Sequence, residues 1–354
     1  MKIRWLFSLL SLSFISLIGC NSTSNRYQID YGTYLNTEAT EINYDDLKTR
    51  LDSNETFLLS LYNEESCSCW NRMHLIINNY VKDYHIPIYY MCMDEIAKQE
   101  NHFSLSLADA SLGSKVSINV MSKGKVVTYM MTSNKEDYNR RFDDYATFKK
   151  EINKIIKAPS IYYIDEEMLE AKINNKENVV VSFIRNSCSD CSYIMPNVVI
   201  PFSKNNNLKR DIYLIDMQDF YDANKDTPTY QAYKDKWQLS EEGNATFGYG
   251  KGVVPTTQYY ENGELKDACV SFNDTISKVG DQYIVSESYY SAERINNLSY
   301  LKDVKNKILK GLTLDETDCD IIPYNEDVYI GWSHESANKY HKPILEAFLK
   351  TYTK

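Results

Sequence analysis

The sequence predicts an α/β protein of two domains sharing one architecture, each a central mixed β-sheet flanked by helices. The second domain is enlarged by an insertion and a C-terminal extension. Three observations carry this expectation. The chain has 354 residues, enough for two domains of ordinary size. Short apolar runs of strand character alternate with amphipathic helical stretches, the pattern of a sheet covered by helices. The pattern also occurs twice, because Ser60 laid over Ser182 brings two segments into register. The repeat period is that of a whole domain, which points to duplication rather than to a solenoid.

Residues 1–20 read as an export signal. Lys2 and Arg4 give a positive start, and Trp5 to Gly19 form an apolar run too short for a comfortable membrane span. The run ends in Leu17-Ile18-Gly19-Cys20, which resembles the lipobox of bacterial lipoproteins. That resemblance implies a diacylglycerol on the Cys20 thiol, cleavage before it, and attachment to the extracytoplasmic face of the cell membrane. Two acyl chains suffice for stable anchoring where one is marginal. The alternative is a plain signal peptide that ends in cysteine. Residues 21–40 are polar and without periodicity, and are expected to be a flexible tether.

In the aligned segments, residues 45–60 and 167–182 each read as an amphipathic helix, a polar turn and a buried strand, Phe57–Leu61 and Val179–Ile184. Each strand runs into a polar loop with cysteine, then a helical pattern, then a second apolar strand, Ile86–Met91 and Ile212–Met217. Residues 115–130 and 253–272 add a strand, a glycine turn and another strand. The expected domains are therefore 41–157 and 160–354, divided where Lys-Ala-Pro-Ser at 157–160 interrupts the pattern. Within the second, 218–252 reads as an insertion and about 273–335 as part of an extension. The last segment has Tyr340, Ile344, Phe348, Leu349 and Tyr352 on one helical face. It is either the closing helix of the second domain or a separate cap.

The chemistry concentrates at Cys188-Ser189-Asp190-Cys191. A buried strand emerges there into a short loop, placing Cys188 at a helix start. Unpaired N–H groups and the helix dipole favour a thiolate at that position, and only the thiolate attacks a disulfide. Cys191 lies within one helical turn, placed to displace whatever Cys188 captures. Pro196 follows five residues after Cys191, and Val254-Pro255-Thr256 precedes Gly263 by the length of a strand.

On these residues the chain resembles the thioredoxin-like superfamily, over about 40–157 and 160–272, with specific motifs only in the second half. The resemblance implies Cys188 as attacking thiol, Cys191 as resolving thiol, and Pro255 as the cis-proline that presents the substrate backbone. Two positions depart from the pattern. Ser187 stands where the family has tryptophan, and Ser182 replaces its buried acid, so proton transfer at Cys191 would need water or a substrate group. Arg185 would lower the Cys188 pKa and Asp190 would oppose it, leaving the redox direction open. The competing reading of the motif is structural or zinc-binding. Zinc would need two further ligands, and the five histidines form no such cluster.

The first domain is degenerate by comparison. Cys69 aligns with Cys191, but Ser66 stands at the Cys188 position, and Cys67 is displaced by one to give Cys-Ser-Cys. Val116 or Ser117 occupies the proline position. Cys67 and Cys69 read as a second redox pair, as a docking site that passes electrons to Cys188–Cys191, or as vestigial in a fold retained for structure; a copper or zinc site with His74 is a weaker third reading. Without Cys20 seven cysteines remain, an odd number. Cys92 reads as a buried hydrophobe, while Cys269 and Cys319 invite a structural disulfide outside the cytoplasm.

The net charge of −10, with no basic stripe, excludes nucleic acid as a natural partner. No cofactor or metal is expected, since neither a phosphate-cradling loop nor a zinc-protease helix occurs. The sequence leads to an anchored, extracytoplasmic thiol–disulfide oxidoreductase acting on exported cysteine-containing proteins or peptides and served by a redox partner protein. The alternative is a non-enzymatic surface lipoprotein whose tandem folds form a binding or assembly module, for example of the bacteriocin-accessory type.

Overall fold

The structure is a computed structural model. It describes residues 26–62, 67–94, 116–131, 142, 144–239, 254–270, 276–279, 282–285, 321–324, 327–330 and 342–354. The signal and lipobox, including Cys20, lie outside the described residues.

Three very short strands come first: β1 (Tyr27–Gln28), β2 (Gly32–Thr33) and β3 (Thr40–Glu41). The first half continues with α1 (Tyr44–Asp52), β4 (Phe57–Tyr62), α2 (Cys67–Tyr84), β5 (Ile88–Cys92), β6 (Val116–Ser122), β7 (Lys125–Met131) and α3 (Tyr145–Ile155). Its sheet has the order β3-β5-β4-β6-β7. β4 and β5 are parallel, joined across α2, while β6 and β7 form an antiparallel hairpin on the other side of β4. Lys123 and Gly124 make the turn, both at positive φ, a conformation that only the glycine adopts without a Cβ clash. α1 starts on an Asn43–Asp46 capping box and buries Leu47 and Leu51 against one face. α2 and α3 cover the opposite face through Met73, Ile77, Tyr80, Phe148 and Ile152.

The second half repeats this plan. After β8 (Ile156–Lys157) come β9 (Ile161–Tyr163), α4 (Glu166–Asn174), β10 (Val179–Ile184) and α5 (Ser189–Ile194). α5 runs through a π-helical turn, Met195–Val199, into α6 (Ile200–Asn205). Pro196 lies in that turn, where its missing N–H and ring displace the ordinary ladder. There follow β11 (Ile212–Asp216), α7 (Gln218–Asn224), α8 (Pro228–Lys236), β12 (Thr256–Glu261) and β13 (Glu264–Val270). The sheet order is β13-β12-β10-β11-β9-β2, with β10–β11 parallel and β12–β13 antiparallel. The stretch expected as an insertion thus begins as two helices, whose Tyr230 and Tyr233 pack on the sheet face that also carries Leu169 and Phe183; residues 240–253 lie outside the described residues.

Strands β14 (Ile276–Val279), β15 (Gln282–Val285), β16 (Ile321–Tyr324) and β17 (Asp327–Ile330) make a separate antiparallel sheet. The last helix, α9 (Lys342–Thr353), settles what the sequence left open. Leu345, Phe348 and Leu349 enter the core beside Val198, Ile212 and Cys269, so α9 closes the second half as α3 closes the first. Among the described residues no helix is long and apolar enough to cross a membrane.

The expected tether differs most. From Tyr27 onward it is stitched into both halves: β1 pairs with β8, β2 extends the second sheet beside β9, and β3 edges the first sheet beside β5. Side chains explain the order. Ile29 enters the first half's core while Tyr31 and Tyr34 pack against the two faces of the second. Asp30 and Thr56 exchange two hydrogen bonds, Asp30 N–H to the Thr56 carbonyl at 3.0 Å and Thr56 N–H to Asp30 Oδ2 at 2.8 Å. Lys204, from the second half, forms an ion pair with the same buried carboxylate.

Candidate functional site

β10 ends at Ile184, and the next residues turn the chain into α5 with Cys188 as N-cap. The cap position is normally filled by an oxygen that accepts from the first turn. Here the Cys188 sulfur accepts from Cys191 N–H at 3.4 Å. The Cys191 thiol also bonds to that sulfur, and this is the largest influence drawing the Cys188 pKa down to about 7; the Cys191 and Asp190 N–H groups add to it. Burial and the Asp190 carboxylate oppose the shift. Cys191 behaves oppositely. It is buried beneath the helix start, and sharing its proton with Cys188, burial, and the neighbouring charge all push its pKa far upward. One thiol is thus half-exposed and readily ionised, the other sealed and protonated. The pair is not joined by a disulfide.

The Val254–Pro255 peptide is cis, and the Val254 carbonyl faces Cys188 Sγ at 3.8 Å. The sequence therefore brings Cys188, Cys191 and the Pro255 loop together from residues far apart in the chain. The loop before Cys188 is pinned from β11 and α7. Asn186 Nδ2 donates to Asp216 Oδ2 at 2.5 Å, Ser187 N–H to Gln218 Oε1 at 2.8 Å, and Gln218 N–H to Asp216 Oδ1 at 3.0 Å. Sequence reasoning missed Asp216 and Gln218, because the contacts are long-range and no motif marks them. Arg185, expected to act on Cys188, lies over the Tyr221 ring at 3.7 Å.

Below the dithiol, on the same sheet face, Ser182 and Thr257 share a hydrogen bond of 2.7 Å and are both buried. The hydroxyls satisfy each other, which removes the desolvation cost of a lone polar group but provides no carboxylate. Thr257 was legible in principle, two residues after Pro255 on a strand that pairs with Ser182.

Beside Cys69, the residue aligned with Cys191, the first half has stacked rings instead. Tyr62 stacks on Trp70 at 4.5 Å, and Trp70 stacks on His74 at 5.1 Å. Cys69 is half-buried against that core, and the Cys92 thiol donates to Asp94. Cys67 begins α2; its side chain lies outside the described residues, as does Cys319, the suggested partner of the buried Cys269. Among the described residues no three His, Cys, Asp or Glu side chains are grouped to hold a metal.

No family profile and no curated protein matches the chain. Solved structures with similarity include an N21Q mutant thioredoxin from Halobacterium salinarum NRC-1, 17% identical, covering 44% of this chain and 93% of that one at a TM-score of 0.22. Thioredoxin O1 from Arabidopsis thaliana is 18% identical over 32% of this chain and 86% of its own, with a TM-score of 0.22. Human ERp44 is 11% identical, covering 82% of this chain and 60% of that one, with a TM-score of 0.34. Independently of these similarities, the strand order, the parallel crossover and the antiparallel hairpin give each half a thioredoxin-like α/β fold.

Proposed function

We propose that the chain is a membrane-anchored, extracytoplasmic thiol–disulfide oxidoreductase that acts on exported cysteine-containing proteins or peptides through Cys188 and Cys191. The observation that carries the reading is the asymmetry of the two thiols: Cys188 caps α5 with its pKa lowered to about 7, and Cys191 lies protonated beneath it. In reduction, the Cys188 thiolate attacks one sulfur of a substrate disulfide and expels the other as thiolate. Cys191 then gives up its proton to that leaving group or to water and attacks Cys188 Sγ, which breaks the bond from Cys188 to the captured sulfur and releases that sulfur as the second substrate thiolate. The substrate gains two electrons, and the enzyme is left with a Cys188–Cys191 disulfide for a redox partner protein to reduce. Run backwards, the same steps oxidise a substrate dithiol. The anchor is supported by the sequence of residues 1–20.

The test is insulin reduction by the full chain with dithiothreitol as electron source, compared with Cys188→Ser. The wild type is expected to accelerate the reaction and the variant to fall to background. Equal rates would favour the non-enzymatic lipoprotein. In Cys191→Ser the mixed disulfide on Cys188 should accumulate, and mass spectrometry of the trapped species would name the substrate.

A further inference from the structure

One cation beside the dithiol has no anion to pair with. Arg185 is the first residue after β10, and its carbonyl accepts from Cys188 N–H at 3.1 Å, so the two residues stand at the ends of one tight turn. The Arg185 guanidinium lies over the Tyr221 ring at 3.7 Å. Tyr221 of α7 meets Tyr230 of α8 edge to face at 5.5 Å, and Lys234 lies over Tyr230 at 5.1 Å. Two cations thus bracket a pair of rings. Among the described residues neither is ion-paired with a carboxylate, and Arg185 Nε is buried without a hydrogen-bond acceptor. The chain carries a net charge of −10, yet the acids near these cations in sequence are turned to other groups. Asp190 accepts from Ser189 Oγ at 3.3 Å, Asp216 from Asn186 and Gln218, Asp222 from Gln218 at 2.8 Å, and Asp235 from Gln231 at 2.8 Å. A buried donor left unmatched is costly, and a ring face offsets only part of that cost. What the ring does supply is a fixed orientation for a planar, forked donor.

The position of Arg185 says what it would meet. Phe183 and Tyr221 pack in one core of the second half, Ile184 and Cys191 in the other. Val254 touches both cores, and its carbonyl faces Cys188 Sγ. The carboxyl end of β10 therefore has the dithiol on one side and Arg185 on the other, with the Pro255 loop reaching across. We propose that Arg185, braced by Tyr221 and aided by the charge of Lys234, selects substrates with an acidic side chain next to the reacting cysteine. A glutamate or aspartate of the substrate polypeptide accepts from the guanidinium in a charge-assisted contact while its cysteine lies at Cys188. This inference deepens the oxidoreductase reading and rests on it for the role of the cysteine.

The test uses three disulfide-closed peptides of equal length that differ only in the residues flanking the disulfide: glutamate, glutamine or lysine. Second-order rate constants for their reduction by the prereduced full chain are compared with those of Arg185→Gln, Arg185→Lys and Lys234→Gln. The wild type should prefer the glutamate peptide over the glutamine peptide by about tenfold, with the lysine peptide slowest. Arg185→Gln should bring that ratio close to one. Arg185→Lys should keep only part of it, because an ammonium lacks the planar fork. Lys234→Gln should lower it by about twofold, as expected of a partly solvated charge. The ratio is taken within each protein, so a variant that loses stability still reports its selectivity. A ratio near one in the wild type, or one undiminished in Arg185→Gln, would overturn the proposal. Fluorescence anisotropy of labelled, serine-for-cysteine versions of the peptides on Cys188→Ser separates this proposal from the reading beneath it. Glutamate-selective binding that disappears when Arg185→Gln is added, with no disulfide reduced by the wild type, would keep the anion site and sink the oxidoreductase. Reduction of all three peptides at one rate would do the opposite.

Discussion

The two sulfurs of the dithiol sit in different environments. The Cys188 sulfur takes the acceptor role that a serine or aspartate oxygen has at other helix starts, so its anion is stabilised by groups already in place. Its reactivity should therefore climb as the pH passes about 7, the value to which hydrogen bonding to Cys191 and the helix N–H groups lowers it. The measurement is the rate of iodoacetamide alkylation at Cys188, followed by peptide mapping from pH 5 to 9. Below the midpoint the thiol is protonated and slow; above it the rate reaches a plateau, with Cys191 unmodified. In Cys191→Ala one donor to the thiolate is lost, and the midpoint should move upward towards that of an ordinary thiol. A midpoint unchanged by that substitution would mean the helix N–H groups act alone. The site was only partly legible in the sequence. The strand-to-helix setting of Cys188 follows from local pattern, whereas Thr257, Asp216 and Gln218 reach it through pairings between distant strands that no local pattern encodes.

Among elements, the long strands declared themselves and the short ones did not. Val179–Ile184 and Phe57–Tyr62 are apolar runs buried on both faces, so hydrophobicity alone locates them to within a residue or two. β1, β2 and β3 have two residues each and mostly polar neighbours; their existence depends on partners supplied by the rest of the chain. The one available signal was the alternation Tyr27, Ile29, Tyr31, a strand period within a stretch otherwise read as tether. β2 also explains a glycine. A Cβ on Gly32 would overlap the Tyr162 ring and crowd the His85 carbonyl, so the strand approaches β9 only because the side chain is missing. Gly32→Ala should then cost about 1–3 kcal/mol, the range for forcing volume into a packed site. Thermal denaturation of the full chain would show it as a lowered midpoint; an unchanged midpoint would mean that β2 contributes nothing to the second sheet.

For the molecule as a whole, the halves are coupled through the stitch and through one buried charge. Asp30 is 4% exposed and belongs to the stitch; it pairs with Lys204 of α6 and exchanges hydrogen bonds with Thr56 of the first half. Burial is the dominant influence on its carboxyl and raises the pKa, with Lys204 pulling the other way. Removing the cation leaves a buried carboxylate uncompensated. Lys204→Ala should destabilise by about 2–3 kcal/mol at neutral pH, somewhat below the usual figure for breaking a buried pair because Lys204 remains partly solvated. The deficit should shrink as the pH falls through the raised pKa of Asp30, since a protonated carboxyl no longer requires a cation. Urea titrations of both proteins at pH 7 and pH 4 would measure it, and a deficit equal at the two pH values would contradict this role for Asp30. The stitch has a further consequence for how the chain is made. Gly32 and Thr33 leave the ribosome before either half exists, yet their partners, Tyr162 and Tyr163, are translated only after the first half is complete. During synthesis these two residues must therefore wait unpaired, a bare edge in search of a strand, and the nascent protein stays open to a chaperone until its second half arrives.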